Sequence, residues 1–407
     1  MAQIRKKTGK QSVRRDGMNF KLFFVAIALL CVGCLMVLSS SYAYNIRGGE
    51  NAFGDFIQHL VVGIVGIGIM LLLSSIDYRI LNHKLLVLGA VAACVLLLAA
   101  VYAFPDKMGA HRWIPLFGFT LQPSEFAKFV LSLYLAYFIS HNKYWFKDIK
   151  KWIQLMIPVV VFAALIVFEP NLSTTLICIL LPTVIVMFVS GMQKWLVGVA
   201  GIAVAVLGVW QIFFTDWRAG RVGAWMDPFS DPRDTGYQVV QSLYALGDGN
   251  LWGVGMGNSR QKVSALPMAD TDYIYSIIGE EFGFIGAVFV LLLYAVFIWI
   301  GMKTAMNAPD AFGQYLATGI TSVFALQTLV NIAVVTNTIP STGVTLPFIS
   351  RGSSSLLAFS CATGLLLSIS AYSKRRRPVK KTAEPETPVE EQKQEAEIIQ
   401  WRGDRRQ

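Results

Sequence analysis

Long uncharged apolar runs, separated by short polar or Pro/Gly-containing segments, set the plan of this chain. Leu22–Ile46, Phe56–Ile76, Leu85–Pro105, Leu172–Gln193, Trp195–Thr215 and Phe282–Met302 each meet the roughly 20 residues needed to cross about 30 Å of hydrocarbon. Shorter spans fit at Phe126–Ser140 and Ile153–Phe168. Ala311–Ser350 carries no charge and is too long for one crossing. A helix to about Asn337 is expected there, then a loop around Pro340 and Pro347, then a last span over Gly352–Ser373. The pattern predicts an all-α integral membrane protein, a bundle of about ten transmembrane helices. Its large extracytoplasmic loop, Asp216–Asp272, falls between the seventh and eighth.

Composition agrees, because a 407-residue chain that is 55% hydrophobic and 15% charged has too little polar surface for an ordinary soluble fold. Charge then gives orientation. Arg5, Lys6, Lys7, Lys10, Arg14, Arg15 and Lys21 precede the first span, and Lys374, Arg375, Arg376, Arg377, Lys380 and Lys381 follow the last. Basic residues near helix ends stay cytoplasmic, so both termini are expected inside, as are Arg79 with Lys84 and the stretch Lys143–Lys151. Three parts follow: a basic N-terminus 1–21, a membrane domain 22–373 and a tail 374–407 rich in Glu, Gln, Lys and Pro. That tail is expected to be disordered, either docking a cytoplasmic partner or staying solvated. The first run is too long for a cleaved signal peptide and is expected to stay as an anchor. The net charge of +10 is explained by topology and anionic headgroups. The basic runs lack interleaved aromatics, so nucleic acid is not an expected partner.

All five cysteines lie inside apolar spans, and the four histidines are scattered over separate elements. Neither set has metal-ligand spacing, and no nucleotide-binding loop is present. Chemistry is expected instead where charge meets the ends of helices. The loop Asp216–Asp272 closes on Leu266-Pro267-Met268-Ala269-Asp270-Thr271-Asp272-Tyr273, bringing a carboxylate to the mouth of the next helix, where an isolated charge is costly without partners or a task. Asp272, Ser276, Gly279 and Gly283 are spaced to share one narrow helical face with room for a substrate, and Glu280 lies near it. A second cluster, Arg112-Trp113 leading to Gln122-Pro123-Ser124-Glu125-Phe126-Ala127-Lys128, sets Glu125 and Lys128 three residues apart. They form either an intramembrane ion pair or part of a substrate path. A third, Arg351-Gly352-Ser353-Ser354-Ser355, is either a packing surface of small residues or an anion-binding helix start. Arg112, Arg218, Arg221 and Lys262 are each either solvated loop charges or contacts for a pyrophosphate, and only a converging pair would make a phosphate site.

Several ordered motifs together resemble the SEDS family (shape, elongation, division and sporulation), the FtsW, RodA and SpoVE group. They are Gln122–Lys128, Asp227-Pro228-Phe229-Ser230-Asp231-Pro232 with Gly236-Tyr237-Gln238, and Gln241-Ser242-Leu243-Tyr244-Ala245-Leu246-Gly247. Next come Gly253-Val254-Gly255-Met256-Gly257 with Ser259, Gln261 and Lys262, then Thr271-Asp272-Tyr273 and Glu280-Glu281-Phe282-Gly283. The resemblance covers about Leu22–Ser373. It implies a peptidoglycan glycosyltransferase that polymerises lipid II, the undecaprenyl-pyrophosphate-linked disaccharide pentapeptide, at the outer face of the bacterial cytoplasmic membrane. Asp272 is then the catalytic residue, a general base toward the acceptor sugar hydroxyl, with undecaprenyl pyrophosphate leaving. The expected substrate-binding residues are Arg112, Gln122, Ser124, Glu125, Lys128, Arg218, Arg221, Gln238, Gln241, Gln261, Lys262, Thr271, Glu280, Ser350, Arg351 and Ser353. No cofactor is assigned, and a divalent cation, Mg or Mn, on the pyrophosphate is left open. A lipid II flippase and a non-catalytic divisome scaffold are the alternative functions.

Thr345-Leu346-Pro347-Phe348, Gln122–Lys128 and the tail resemble the FtsW/SpoVE branch. That branch implies a class B penicillin-binding protein transpeptidase and divisome proteins as partners, at the division septum. Gly63, Gly66 and Gly68 offer close contact either to a partner helix or within the bundle. The chain departs from the family where Arg351 replaces a Tyr, where Pro170-Asn171 replaces Pro-Asp, and where Asn250 replaces a Gly.

Overall fold

The computed structural model describes residues 17–47, 49, 51–105, 111–116, 119–142, 148–169, 171–190, 216–264, 266 and 268–372. The chain divides into Met1–Ser373 and Lys374–Gln407, and the tail lies outside the described residues. The long helices are α1 (Phe20–Arg47), α2 (Gly54–Ser75), α3 (Lys84–Ala100), α4 (Pro123–His141), α5 (Ile149–Phe168) and α6 (Leu172–Ser190). Three short helices follow, α7 (Asp216–Met226), α8 (Tyr237–Asp248) and α9 (Gln261–Ser264), then α10 (Ile274–Met306), α11 (Ala311–Val335) and α12 (Ser353–Ala371). Among the described residues, seven helices are long and apolar enough to cross a membrane. The protein is a helical, multi-pass membrane protein, and the expected span Trp195–Thr215 lies outside the described residues.

The all-α expectation needs one small addition. Ile114–Leu116 (β1) and Phe119–Leu121 (β2) pair antiparallel, with Ile114 opposite Leu121. A strand pair was hidden in an apolar stretch too short to show alternation. Ser354 ties it to the bundle, its hydroxyl donating to the Thr120 carbonyl (2.6 Å) and accepting from the Gln122 amide (2.9 Å). The long loop is likewise more structured than its Gly content suggested, since α7, α8 and α9 all lie within it.

Packing follows from the small residues. Gly63 of α2 faces Leu30 of α1, and Gly66 faces Ser360 of α12, while nothing lies within 4 Å of where a Gly68 side chain would start. Two of these three glycines therefore serve helix contacts inside the bundle, where missing side chains let backbones approach. The centre is aromatic. Phe297 of α10 and Phe324 of α11 pack with ring centroids 4.3 Å apart, and Phe324 meets Phe359 of α12 at 4.5 Å. Phe348 joins the cluster from the loop between α11 and α12 in a left-handed conformation, φ 65°. Such backbone strain, of about 1–3 kcal/mol, persists only where surrounding packing enforces it.

The helical face predicted from Asp272 to Gly283 is corrected by the structure. Helix α10 starts at Ile274, after Asp272, and breaks at Gly283 (φ 68°, ψ −170°), a conformation that only glycine adopts readily. Ser276 and Gly279 face protein rather than a substrate space. The Ser276 hydroxyl lies 2.7 Å from that of Ser242 on α8, and Gly279 abuts Leu246 and Gly249. The break exposes carbonyls that need donors, and the loop after α8 supplies them. Val254 and Gly255 amides donate to the Glu280 and Glu281 carbonyls at 2.9 and 3.0 Å, and the Phe284 amide donates back to Asn250 at 2.8 Å. The expected span Phe282–Met302 is thus the second half of α10, and Asp272 lies just before the first half begins.

Candidate active site around Asp272

Three successive carbonyls hold the backbone that bears Asp272. The Arg351 amide donates to the Asp270 carbonyl (2.8 Å), the Ser350 hydroxyl to Thr271 (2.5 Å) and the Asn331 side-chain amide to Asp272 (2.8 Å). Asn331 also donates to the Val344 carbonyl at 2.6 Å, so α11 and the loop before α12 fix the same segment. Such locking by neighbouring elements is what a reacting group needs to stay within reach of its target. The Thr271 hydroxyl donates to the Met268 carbonyl at 3.2 Å. Gly343, at φ 58°, borders the Asp272 carboxylate: a side chain there would start 3.4 Å from Oδ2.

Charge converges on the same place. Burial raises the Asp272 pKa to about 6, Asp270 pushes in the same direction, and Arg112 and Arg221 pull it down. Among the described residues its carboxylate accepts no hydrogen bond. Arg221 comes from α7 and donates to the Ser341 carbonyl at 3.0 Å. Arg112 comes from the segment before β1, donates through Nε to the Glu169 carbonyl at 2.8 Å, and lies 6.0 Å from the Trp113 ring centre. Two arginines far apart in sequence therefore face one carboxylate. Their convergence depends on packing that no local spacing reports.

Glu169, just past α5, is a residue that sequence reading missed. It is fully buried beside Ser124 and Arg112, and burial raises its pKa to about 8. Ser124 also accepts from Asn171 at 3.5 Å. The sequence holds a signal for it, since Glu169 adjoins Pro170-Asn171, where Asn stands in place of the family's Asp.

The remaining candidates separate by what they touch. Lys128 pairs with Glu125 at 3.0 Å and donates to Gln327, all three buried; of the two readings of this pair, the intramembrane ion pair is the geometry observed. Lys262, read as a loop charge or a pyrophosphate contact, is instead buried, with Nζ 2.5 Å from Glu281 and 2.8 Å from the Ser39 hydroxyl. Glu280 accepts from the Ser259 hydroxyl (2.5 Å) and from the amides of Arg260 (2.7 Å) and Gln261 (3.4 Å). These two acids stabilise the α10 break. Gln238 and Gln241 are half-buried on α8. Ser353 accepts from Gln58 at 3.3 Å. Arg351 pairs with Asp270 at 3.0 Å and with Asp55. The side chain of Arg218 lies outside the described residues.

Fold and site together define a class, a polytopic helical membrane protein with an arginine-flanked carboxylate held where a helix begins. The family model of the cell cycle proteins FtsW, RodA and SpoVE matches residues 20–375, and the chain belongs to that family. Stage V sporulation protein E of Bacillus subtilis is similar, 34% identical over 89% of this chain and 100% of its own length. So is the probable peptidoglycan glycosyltransferase FtsW of Trichlorobacter lovleyi, 34% identical over 86% and 92%. The chain lies in the FtsW/SpoVE branch. Among solved structures, one on the coordination of polymerization and crosslinking by a peptidoglycan synthase complex matches with a TM-score of 0.71. It is 26% identical over 86% of this chain and 97% of its own. The rod shape determining protein RodA of Thermus thermophilus shares the fold, with a TM-score of 0.66 at 22% identity over 88% and 98%.

Proposed function

We propose that Asp272 is the general base of a lipid II polymerase. The protein is a peptidoglycan glycosyltransferase of cell-wall synthesis. The observation that carries the Asp272 assignment is an open carboxylate, pKa raised to about 6, on a clamped backbone between two arginines. A base with that pKa is ionised at neutral pH yet basic enough to take a proton in the transition state. Its oxygen removes the proton of the acceptor sugar hydroxyl as that hydroxyl attacks the anomeric carbon of the donor. The bond from that carbon to undecaprenyl pyrophosphate breaks, and Arg112 and Arg221 stabilise the charge that gathers on the departing group. Among the described residues no group of three or more His, Cys, Asp or Glu side chains could hold a metal ion. A Mg or Mn ion riding on the pyrophosphate would need no such group.

The reaction faces the outer side of the bacterial cytoplasmic membrane, with both termini inside, as the basic flanks of the first and last spans support. The partner is a class B penicillin-binding protein transpeptidase within the division machinery at the septum. The exposed apolar side chains Phe229, Tyr244, Leu251 and Trp252 on the Asp216–Asp272 loop suit a protein contact better than water. A flippase would need no proton acceptor, and a scaffold no clamped carboxylate.

The test is polymerisation of fluorescent lipid II by purified protein with its partner. Wild type is expected to give glycan chains, with a rate that falls as pH drops through about 6. Asp272→Ala and Asp272→Asn should give none while expressing and binding the partner normally. Polymer from Asp272→Asn at the wild-type rate would remove Asp272 from this role.

A further inference from the structure

Arg351 does more than border the site. Its amide holds the Asp270 carbonyl at 2.8 Å while its Nε lies 3.0 Å from the Asp270 carboxylate, so one residue grips Asp270 by backbone and side chain. The rest of the guanidinium pairs with Asp55 in the first turn of α2. Asp55 is itself fixed, accepting from Asn45 of α1 at 3.0 Å. A single arginine thus joins the start of α12, the first turn of α2 and the segment two residues before Asp272. We propose that Arg351 is a positioning residue for Asp272: by anchoring and charge-balancing Asp270 it sets where the Asp272 carboxylate sits and how readily that carboxylate holds a proton. The inference rests on reading Asp272 as the base.

The charged and titratable groups around the pair give the direction. Asp270 and Tyr273 flank Asp272 on its own segment, Arg221 faces it from α7 and Arg112 from the segment before β1. Asp55 reaches Asp270 from α2. Asp270 disfavours a second negative charge beside it, as a close like charge must. Arg351 offsets that repulsion. Without it, Asp55 and Asp270 face one another next to Asp272 with no cation between them, and Asp272 takes up a proton at higher pH. The Arg351 pairs are partly exposed, and such pairs add little to stability, so their main effect falls on the neighbouring carboxylate.

The experiment uses the full-length protein with its partner and fluorescent lipid II, with initial rates followed from about pH 5 to 9. Arg351→Gln should move the acid limb of the profile upward by about half to one pH unit. Arg351→Lys, which keeps the charge, should leave it near the wild-type position. Asp270→Asn should move it downward, and Arg351→Gln combined with Asp270→Asn should bring it back toward wild type. Arg351→Gln that lowers the rate by one factor at every pH, with no recovery in the double variant, would overturn the proposal and leave a structural contact. If Arg351→Gln fails to accumulate as folded protein, Asp270→Asn alone decides, and an unmoved limb overturns it. Asp272→Asn is run alongside: wild-type polymer from that variant defeats the reading of Asp272, whereas an inactive Asp272→Asn with unmoved limbs elsewhere defeats only the role of Arg351.

Discussion

Two clusters of charge lie at opposite ends of the first half of α10. At the Gly283 break, Glu280 and Glu281 are buried and every neighbour answers them: Ser259 with the Arg260 and Gln261 amides on one, Lys262 and Ser39 on the other. At the start of the helix, Asp272 faces two arginines, yet among the described residues its carboxylate accepts no hydrogen bond. Both clusters are costly to remove from water. The first repays that cost within the protein, by holding a broken helix to the loop that repairs it. The second surrounds its carboxylate with charge but, among the described residues, gives it no hydrogen bond, a setting in which burial moves the pKa toward neutrality. Complete pairing at Gly283 goes with architecture, and the open carboxylate at Asp272 is what the proposed chemistry requires.

The largest expected effect on stability belongs to the closed cluster. Lys262→Met leaves Glu281 charged, buried and short of its cation, a loss of about 3–5 kcal/mol, read as a lower melting temperature in detergent. Adding Glu281→Gln should recover most of it, because two neutral groups of similar shape need no counterion. A Lys262→Met protein that melts with wild type would show that the pair is not structural.

How far sequence reached follows the same division. Apolar runs gave the membrane class and most span positions, because hydrocarbon thickness is written into run length. Asp272 was legible too, as an acid at a helix mouth. The break at Gly283 was not, since Gly279 and Gly283 fit an unbroken helical spacing, and only the Val254 and Gly255 amides donating across it reveal why the break is tolerated. The burial of Lys262 is hidden for a related reason: a lysine among loop residues looks solvated until Ser39, from α1, is seen against it. Arg112, Arg221 and Glu169 come from three separate segments, and their meeting is a product of tertiary packing alone.

A second effect on the closed cluster is smaller. Gly283→Ala puts a side chain on a backbone at φ 68° and ψ −170°, where a Cβ would also overlap Leu251 and Gly253. The conformational part alone costs about 1–3 kcal/mol. The thermal shift should be downward, and polymerisation should fall with it, because the break positions the half-helix that begins after Asp272. A Gly283→Ala protein of wild-type stability would mean that α10 runs straight without loss.

The smallest effect is also the one that separates the clusters by sign. The Asp272 pKa is raised in the folded protein, from 3.8 to about 6. A carboxyl group shifted this way supports folding while protonated and withdraws that support as pH climbs through the folded value. Asp272→Asn removes the titration and the desolvation cost of the charge together. At pH 8 this variant should therefore melt no lower than wild type and somewhat higher, with the advantage shrinking below about pH 6 and gone near the unfolded value of 3.8. Lys262→Met should be destabilised across the neutral range, the opposite outcome for a charge removed from a neighbouring cluster. An Asp272→Asn protein that loses stability at pH 8 as Lys262→Met does would place Asp272 among the paired acids that hold the fold, and the distinction between open and closed charge would fail.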